Sequence, residues 1–381
     1  MKKRHIAFIS MPYTSHLPAT LPFLSVLVRR GHRVTCATSE RFSPRVTHVG
    51  AKYLPIPPFD RVAHPKDGLF HLARCTLTDT AALFEAEKPD LIIYDPMNFA
   101  GRVLTHRWQI PSIQVSPHPA FTRKTLADQV KNTTAQEATL RLSDEADDFL
   151  KGYGVPSFGY IFHREKLNIY LFPRDFDPIG QSIDESCLYA GRCAGEQPYF
   201  GLWQPPDIDS TPTVLIITST TYILGPDYFR QCIDALSEIH CNVVMFPGDD
   251  SNLDALKPLP KNFQHVRATS AAKALASATV LICTGGAMTV SEAMYHGVPL
   301  VMTSNSIELE GLCERWSHLG LGIHLKQEAV NAESLRRAVT EAIANPAILR
   351  RVRQMQRTVQ REPGGEEVAN VVEEFMERHC A

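Results

Sequence analysis

No stretch of the chain approaches the roughly 18 consecutive apolar residues of a membrane-spanning helix, so none reads as a span. The basic start MKKRH is followed by an apolar run that Pro12 and polar residues break before a signal-peptide core could form. The nine cysteines are odd in number, scattered, and contain no CxxC pair, which argues against a disulfide framework or a zinc site. Cys36 and Cys283 fall inside apolar strand patterns, as buried thiols of a reducing cytoplasm do. Charge of one sign is also missing: 39 Lys and Arg against 41 Asp and Glu give a formal net charge of -2. That balance supplies no electrostatic footprint for nucleic acid or an anionic membrane. The expected location is the cytoplasm.

What is present is alternation. At 381 residues the chain is long enough for two domains, each with its own core. Strand-length apolar runs at 5–10, 33–38, 91–95 and 112–116 alternate with helical patterns near 18–30, 70–87 and 98–108, and Gly31 stands where a helix C-cap is expected. Such alternation predicts parallel strands joined by right-handed helical crossovers. A Pro-rich stretch, EQPYFGLWQPPDIDSTP, interrupts it, and the pattern restarts at 214–218, 226–239, 242–246, 280–283 and 299–302. The expected organisation is an N-terminal domain over 1–196, a linker over 197–212, a second domain over 213–365 and a C-terminal helix over 366–381. Both domains read as α/β and doubly wound, facing a cleft, with ligands at the carboxyl ends of their strands.

The stretch ICTGGAMTVSEAMYHGVPLV, 282–301, reads as a strand, two glycines, a helix opened by Thr289 and ended by Gly297, and another strand. Gly285 and Gly286 let backbone approach a ligand, and a helix start offers unpaired N–H groups, so a phosphate suits the place; a plain strand-to-helix turn also suits it. Neither a GxGxxG fingerprint nor a Gly-Lys-Ser/Thr P-loop is present. Thr218-Ser219-Thr220-Thr221 follows the first strand of the same domain, and Thr220 is a second candidate for a diphosphate contact, although Ser/Thr runs also serve as caps and turns.

In the first domain His16 follows the first strand, next to a helix start whose partial positive charge favours a neutral, proton-accepting ring. Asp95 ends the strand DLIIYD. It can orient an imidazole or N-cap the helix expected to start near Asn98.

Together these residues resemble macrolide-type glycosyltransferases, within the nucleotide-sugar transferases that have two Rossmann-like domains (GT-B type). The match covers essentially the whole chain, through HIAFISMPYTSHLPATLPFLSVLVRRGHRVTCAT, PDLIIYD, RWQIPSIQVSP, GGAMTVSEAMYHGVPLV, LGLGIHL and the late PGG. It implies His16 as general base held by Asp95, direct inversion at the anomeric carbon, and departure of UDP or dTDP into Thr220, Thr284, Gly285, Gly286 and Thr289. It implies no metal and no cofactor besides the nucleotide sugar. The expected partners are that sugar and a lipophilic acceptor such as a polyketide or macrolide, with no nucleic acid and no membrane insertion.

The chain departs from the family in its donor half. Thr284 stands where the family has histidine before the glycines, Ala268-Thr269-Ser270-Ala271 where it has Trp-x-Pro-Gln, and Glu308-Leu309 where an acidic-Gln pair grips the sugar. Leu309 points to a deoxygenated sugar, since an apolar side chain leaves a hydroxyl unpaired. The alternative is a reassigned donor site, in a non-glycosylating acid/base enzyme or an auxiliary binding protein. On the acceptor side, SPHPAF at 116–121 offers His118 and Phe121, and Phe59, Phe70, Phe149, Tyr153 and Phe158 are either apolar wall or ordinary core.

Overall fold

The structure is a computed structural model and describes residues 2–13, 15–58, 67–118, 133–177, 184–192, 211–218, 224–247, 256–266, 271–304 and 307–380. The expected linker lies almost wholly outside these residues.

The segment HIAFI is apolar with no polar alternation and forms β1 (His5–Ile9), buried at every position, as a strand covered on both faces must be. Around it lie β2 (Arg33–Thr38), β3 (Lys52–Pro55), β4 (Leu91–Tyr94), β5 (Ser112–Ser116), β6 (Asn168–Tyr170) and β7 (Cys187–Tyr189). They pair in the order β3-β2-β1-β4-β5-β6-β7, and the pairs are parallel. The helix Leu17–Arg29 carries Pro18 in its first turn, where a missing N–H breaks no bond. It ends before Gly31, whose φ of 89° is a left-handed value that glycine adopts without a steric penalty.

The second sheet repeats the plan. Its strands are β8 (Thr213–Ile217), β9 (Asn242–Phe246), β10 (Phe263–His265), β11 (Val280–Cys283), β12 (Leu300–Thr303) and β13 (Gly322–Leu325). Their order is β10-β9-β8-β11-β12-β13, again with parallel pairs. In both sheets the order reverses direction beside the first strand, β1 or β8, which is the doubly wound arrangement. The fold class is the one read from the alternation. β3, β6, β7, β10 and β13 were not read there: β6, β7 and β10 have three residues, too short to show a period, and β3 and β13 are only partly buried.

The chain forms two compact units, the first sheet with the residues from Glu362 onward in one and the second sheet in the other. The helix Gly364–His379 lies along Leu17–Arg29. Arg29 and Arg30 each donate to Glu366 at 2.8 Å, while Glu373 accepts from His32 Nε2 at 3.0 Å and from Arg30. Among the described residues no helix is long and apolar enough to cross a membrane.

Burial acts to raise the pKa of Glu373, but the hydrogen bonds from His32 and Arg30 outweigh it and hold the carboxyl below its ordinary value. A carboxyl lowered on folding stabilises above its unfolded value and loses that contribution as pH falls through the folded one. Glu373→Gln should therefore cost about 1.5–3 kcal/mol near neutral pH, the scale of hydrogen bonds to a charged group. The deficit should shrink as urea titrations are repeated below about pH 4.5.

Candidate functional site

In register, Ile9 of β1 lies opposite Tyr94 of β4, so the residues that follow these strands emerge side by side at their carboxyl ends. The amide of Asp95 donates to Ile9 O at 3.0 Å. After β1 the chain turns, with Tyr13 N donating to Met11 O at 2.7 Å and His16 N to Tyr13 O at 3.1 Å. His16 thus becomes the residue capping Leu17–Arg29. Its Nδ1 lies 2.6 Å from Asp95 Oδ2, and the two residues are 6% and 2% exposed.

The second oxygen of Asp95 accepts from Met97 N at 2.9 Å. One oxygen therefore holds the imidazole and the other closes a turn, and Asp95 is not the helix N-cap that the sequence also suggested. The turn it forms precedes rather than caps the next helix, which runs Ala100–Trp108 with Phe99 before it. Asn98 Nδ2 donates to Ser10 O at 2.9 Å, and Tyr160 OH donates to Pro96 O. These two residues brace the loops that carry the pair, and neither stood out in the sequence. Asn98 has a signal in hindsight, three residues after Asp95; Tyr160 has none, being 64 positions from its partner. With Nδ1–H given to the carboxylate, the lone pair of a neutral His16 sits on Nε2, which makes that atom the proton acceptor.

His118 completes the cluster. Its Nε2 is 3.0 Å from His16 Nε2, with ring centroids 4.7 Å apart at 64°. Burial first, and then the neighbouring His16, push its pKa down to about 3, against the opposing charge of Asp95. Ser116 Oγ accepts from His118 N at 3.1 Å. Phe121 and Phe59 lie outside the described residues. Phe70 belongs to the first unit's core, with Phe99 and Phe149 at 5.2 and 5.6 Å between ring centroids, so it is core rather than a pocket wall. Phe158 is 90% exposed.

In the second unit β8 and β11 are in register, Ile217 opposite Cys283, which brings Thr218 and Thr284 together at the carboxyl ends. Both are buried, and Thr218 Oγ1 has no hydrogen-bond partner among the described residues. Thr220 lies outside them. Gly285 has φ of 82° and its absent Cβ would overlap Cys313 Sγ. Its carbonyl accepts from Trp316 Nε1 at 3.1 Å. The helix Ala287–His296 begins after Gly286 with no side-chain cap, so its first N–H groups stay available. Thr289 is the third residue of that helix and not its opening; the glycine pair leads straight into the first turn. A Cβ on Gly286 would meet no atom within 4 Å.

Glu308 and Leu309 fall at the start of the helix Ile307–His318, the helix that also carries Cys313 and Trp316 to Gly285. Ala268, Thr269 and Ser270 lie outside the described residues, and Ala271 begins the short helix Ala271–Leu275. Among the described residues no group of three or more His, Cys, Asp or Glu is placed to hold a metal ion.

Residues 230–375 match the model of the erythromycin biosynthesis protein CIII-like C-terminal domain. Over 99% of its length the chain is 29% identical to an NDP-glycosyltransferase of Bacillus licheniformis, covering 98% of that protein. It is 28% identical to demethyllactenocin mycarosyltransferase of Streptomyces fradiae, over 97% of this chain and 86% of the relative. The crystal structure of the calicheamicin glycosyltransferase CalG4 superposes with a TM-score of 0.84 at 28% identity, covering all of both chains.

Gly285→Ala should destabilise the protein through two separable effects, a left-handed backbone costing about 1–2 kcal/mol and overlap with Cys313. Adding Cys313→Ala removes the overlap, since the nearest remaining atom is Cys313 Cβ at 3.6 Å. Unfolding free energies of the two singles and the double should therefore show a favourable coupling of about 0.5–3 kcal/mol; strict additivity would contradict this packing.

Proposed function

Because the chain is a macrolide-type glycosyltransferase with two Rossmann-like domains, we propose that it moves a sugar from UDP or dTDP to a hydroxyl of a lipophilic natural product, inverting the anomeric carbon. The observation that carries the catalytic reading is the buried 2.6 Å contact of His16 with Asp95. In the proposed step the acceptor hydroxyl gives its proton to His16 Nε2 while its oxygen bonds to the anomeric carbon. The bond from that carbon to the diphosphate oxygen breaks, and its electron pair leaves with the nucleotide. Asp95 holds the ring and offsets the imidazolium charge that develops.

The departing charge is met by backbone N–H groups at Gly286–Thr289, which the helix start orients before the reaction, and by the hydroxyls of Thr284 and Thr220. A hydroxyl at 284 makes one contact where an imidazole ring reaches further, so the phosphate is held mainly by backbone. No metal-dependent step and no cofactor are proposed. Leu309 supports a sugar with a methyl or methylene where common hexoses carry a hydroxyl, because a buried hydroxyl without a partner costs about 1–3 kcal/mol. The mycarosyltransferase relative supports a macrolide-like acceptor. The reaction is assigned to the cytoplasm, where nucleotide sugars are soluble co-substrates.

A transfer assay pairing UDP- and dTDP-sugars with polyketide and macrolide acceptors tests this directly. Turnover of UDP-glucose as fast as of any dTDP-deoxysugar would rule out the Leu309 reading. His16→Ala should lower kcat/KM by about 10² to 10⁴, the usual worth of a general base; a loss under about threefold removes His16 from that role. Asp95→Asn should lose about as much, because an amide donating to Nδ1 moves the ring proton to Nε2 and leaves no lone pair there. Transfer should persist undiminished in excess EDTA.

A further inference from the structure

We propose that His118 caps the catalytic nitrogen of His16 until an acceptor hydroxyl displaces it, and so suppresses hydrolysis of the nucleotide sugar by water. The inference rests on the reading of His16 as general base. It follows from counting protons at three nitrogens. Asp95 Oδ2 accepts from His16 Nδ1 at 2.6 Å, so in the neutral ring that a general base requires, His16 Nε2 carries a lone pair and no hydrogen. His118 Nε2 stands 3.0 Å from that atom, and a hydrogen bond at this distance requires a hydrogen on one side. The donor is therefore His118 Nε2–H.

Burial and the adjacent imidazole keep His118 from taking a second proton, so its single ring hydrogen is committed to this contact. An imidazole nitrogen has one lone pair in the ring plane and accepts one strong hydrogen bond. While His118 supplies it, neither water nor an acceptor can be deprotonated there.

Release needs only a side-chain rotation. Ser116 Oγ accepts from His118 N at 3.1 Å and donates to His118 O at 3.2 Å, which fixes the backbone and leaves the side-chain torsions as the moving part. A large acceptor placing its hydroxyl at His16 can displace the ring with the contacts it makes elsewhere. A water molecule has no such contacts and must exchange one hydrogen bond for another. The reaction avoided is attack of water oxygen on the anomeric carbon, its proton going to His16 and the carbon–oxygen bond to the diphosphate breaking with its electron pair on the nucleotide. His118 acts through His16 and is a positioning residue.

The test measures nucleoside diphosphate released from UDP-glucose and dTDP-glucose without acceptor, alongside transfer. His118→Ala should raise hydrolysis about tenfold, the equivalent of one competing hydrogen bond. His118→Gln, whose amide can still donate, should stay within about twofold of the parent. His16→Ala should lower both reactions by about 10² to 10⁴, and His16→Ala combined with His118→Ala should hydrolyse no faster than His16→Ala. If His16→Ala lowers transfer to that extent but His118→Ala leaves hydrolysis unchanged, the cap is wrong and the base stands; if His16→Ala retains transfer, the base itself is wrong. Nitrogen-15 NMR of the parent with labelled histidine reads the same point without any variant. A protonated His118 Nε2 facing an unprotonated His16 Nε2 is expected, and the reverse pattern overturns the proposal.

Discussion

Parallel pairing of adjacent strands in register is the constraint on which the rest depends. Because β1 and β4 run the same way with Ile9 opposite Tyr94, the loops after them leave the sheet at one level. A histidine seven residues beyond one strand and an aspartate directly after the other can then meet at 2.6 Å. Such a contact between buried groups needs rigid support. The sheet supplies it through Asp95 N to Ile9 O, and the loops add Asn98 to Ser10 O and Tyr160 to Pro96 O.

The second unit uses the same device for a different purpose. β8 and β11 set Thr218 and Thr284 side by side, and the glycine pair carries the chain into a helix whose start has no side-chain cap. Behind the loop, Cys313 and Trp316 press from one helix against Gly285, the first filling the place of its missing Cβ and the second binding its carbonyl. The two glycines therefore do different work. Gly285 is required by the packing behind the loop and by its φ of 82°, whereas nothing within 4 Å restricts a Cβ at Gly286.

Much of this was legible before any coordinates. Uniformly apolar strands alternating with amphipathic helices announce a doubly wound fold, because only strands buried on both faces need no polar side. His16 and Asp95 could be picked out because each follows such a strand. Short strands such as β6 and β7 could not, since three residues carry no period. The aromatic set left wall and core open, and Phe70 lies in the core with Phe99 and Phe149; composition does not reveal which face of a helix turns inward. Thr289 was read as opening a helix that begins two residues earlier, an ordinary uncertainty where glycine precedes a helix.

By itself, then, the sequence determined the sheets, the carboxyl-end loops and the residue types able to move a proton or meet a phosphate, all of which follow from local periodicity and the special freedom of glycine. Tertiary structure alone decided the relations between distant side chains. Asp95 could have capped a helix or held an imidazole; it holds the imidazole, and its other oxygen closes a turn. His118 could have been a bystander, yet its ring nitrogen stands 3.0 Å from that of His16 across 102 positions of chain. Which hydrogen lies on which nitrogen is set by that three-membered contact, and no pattern along the chain encodes a distance between side chains that only folding brings together.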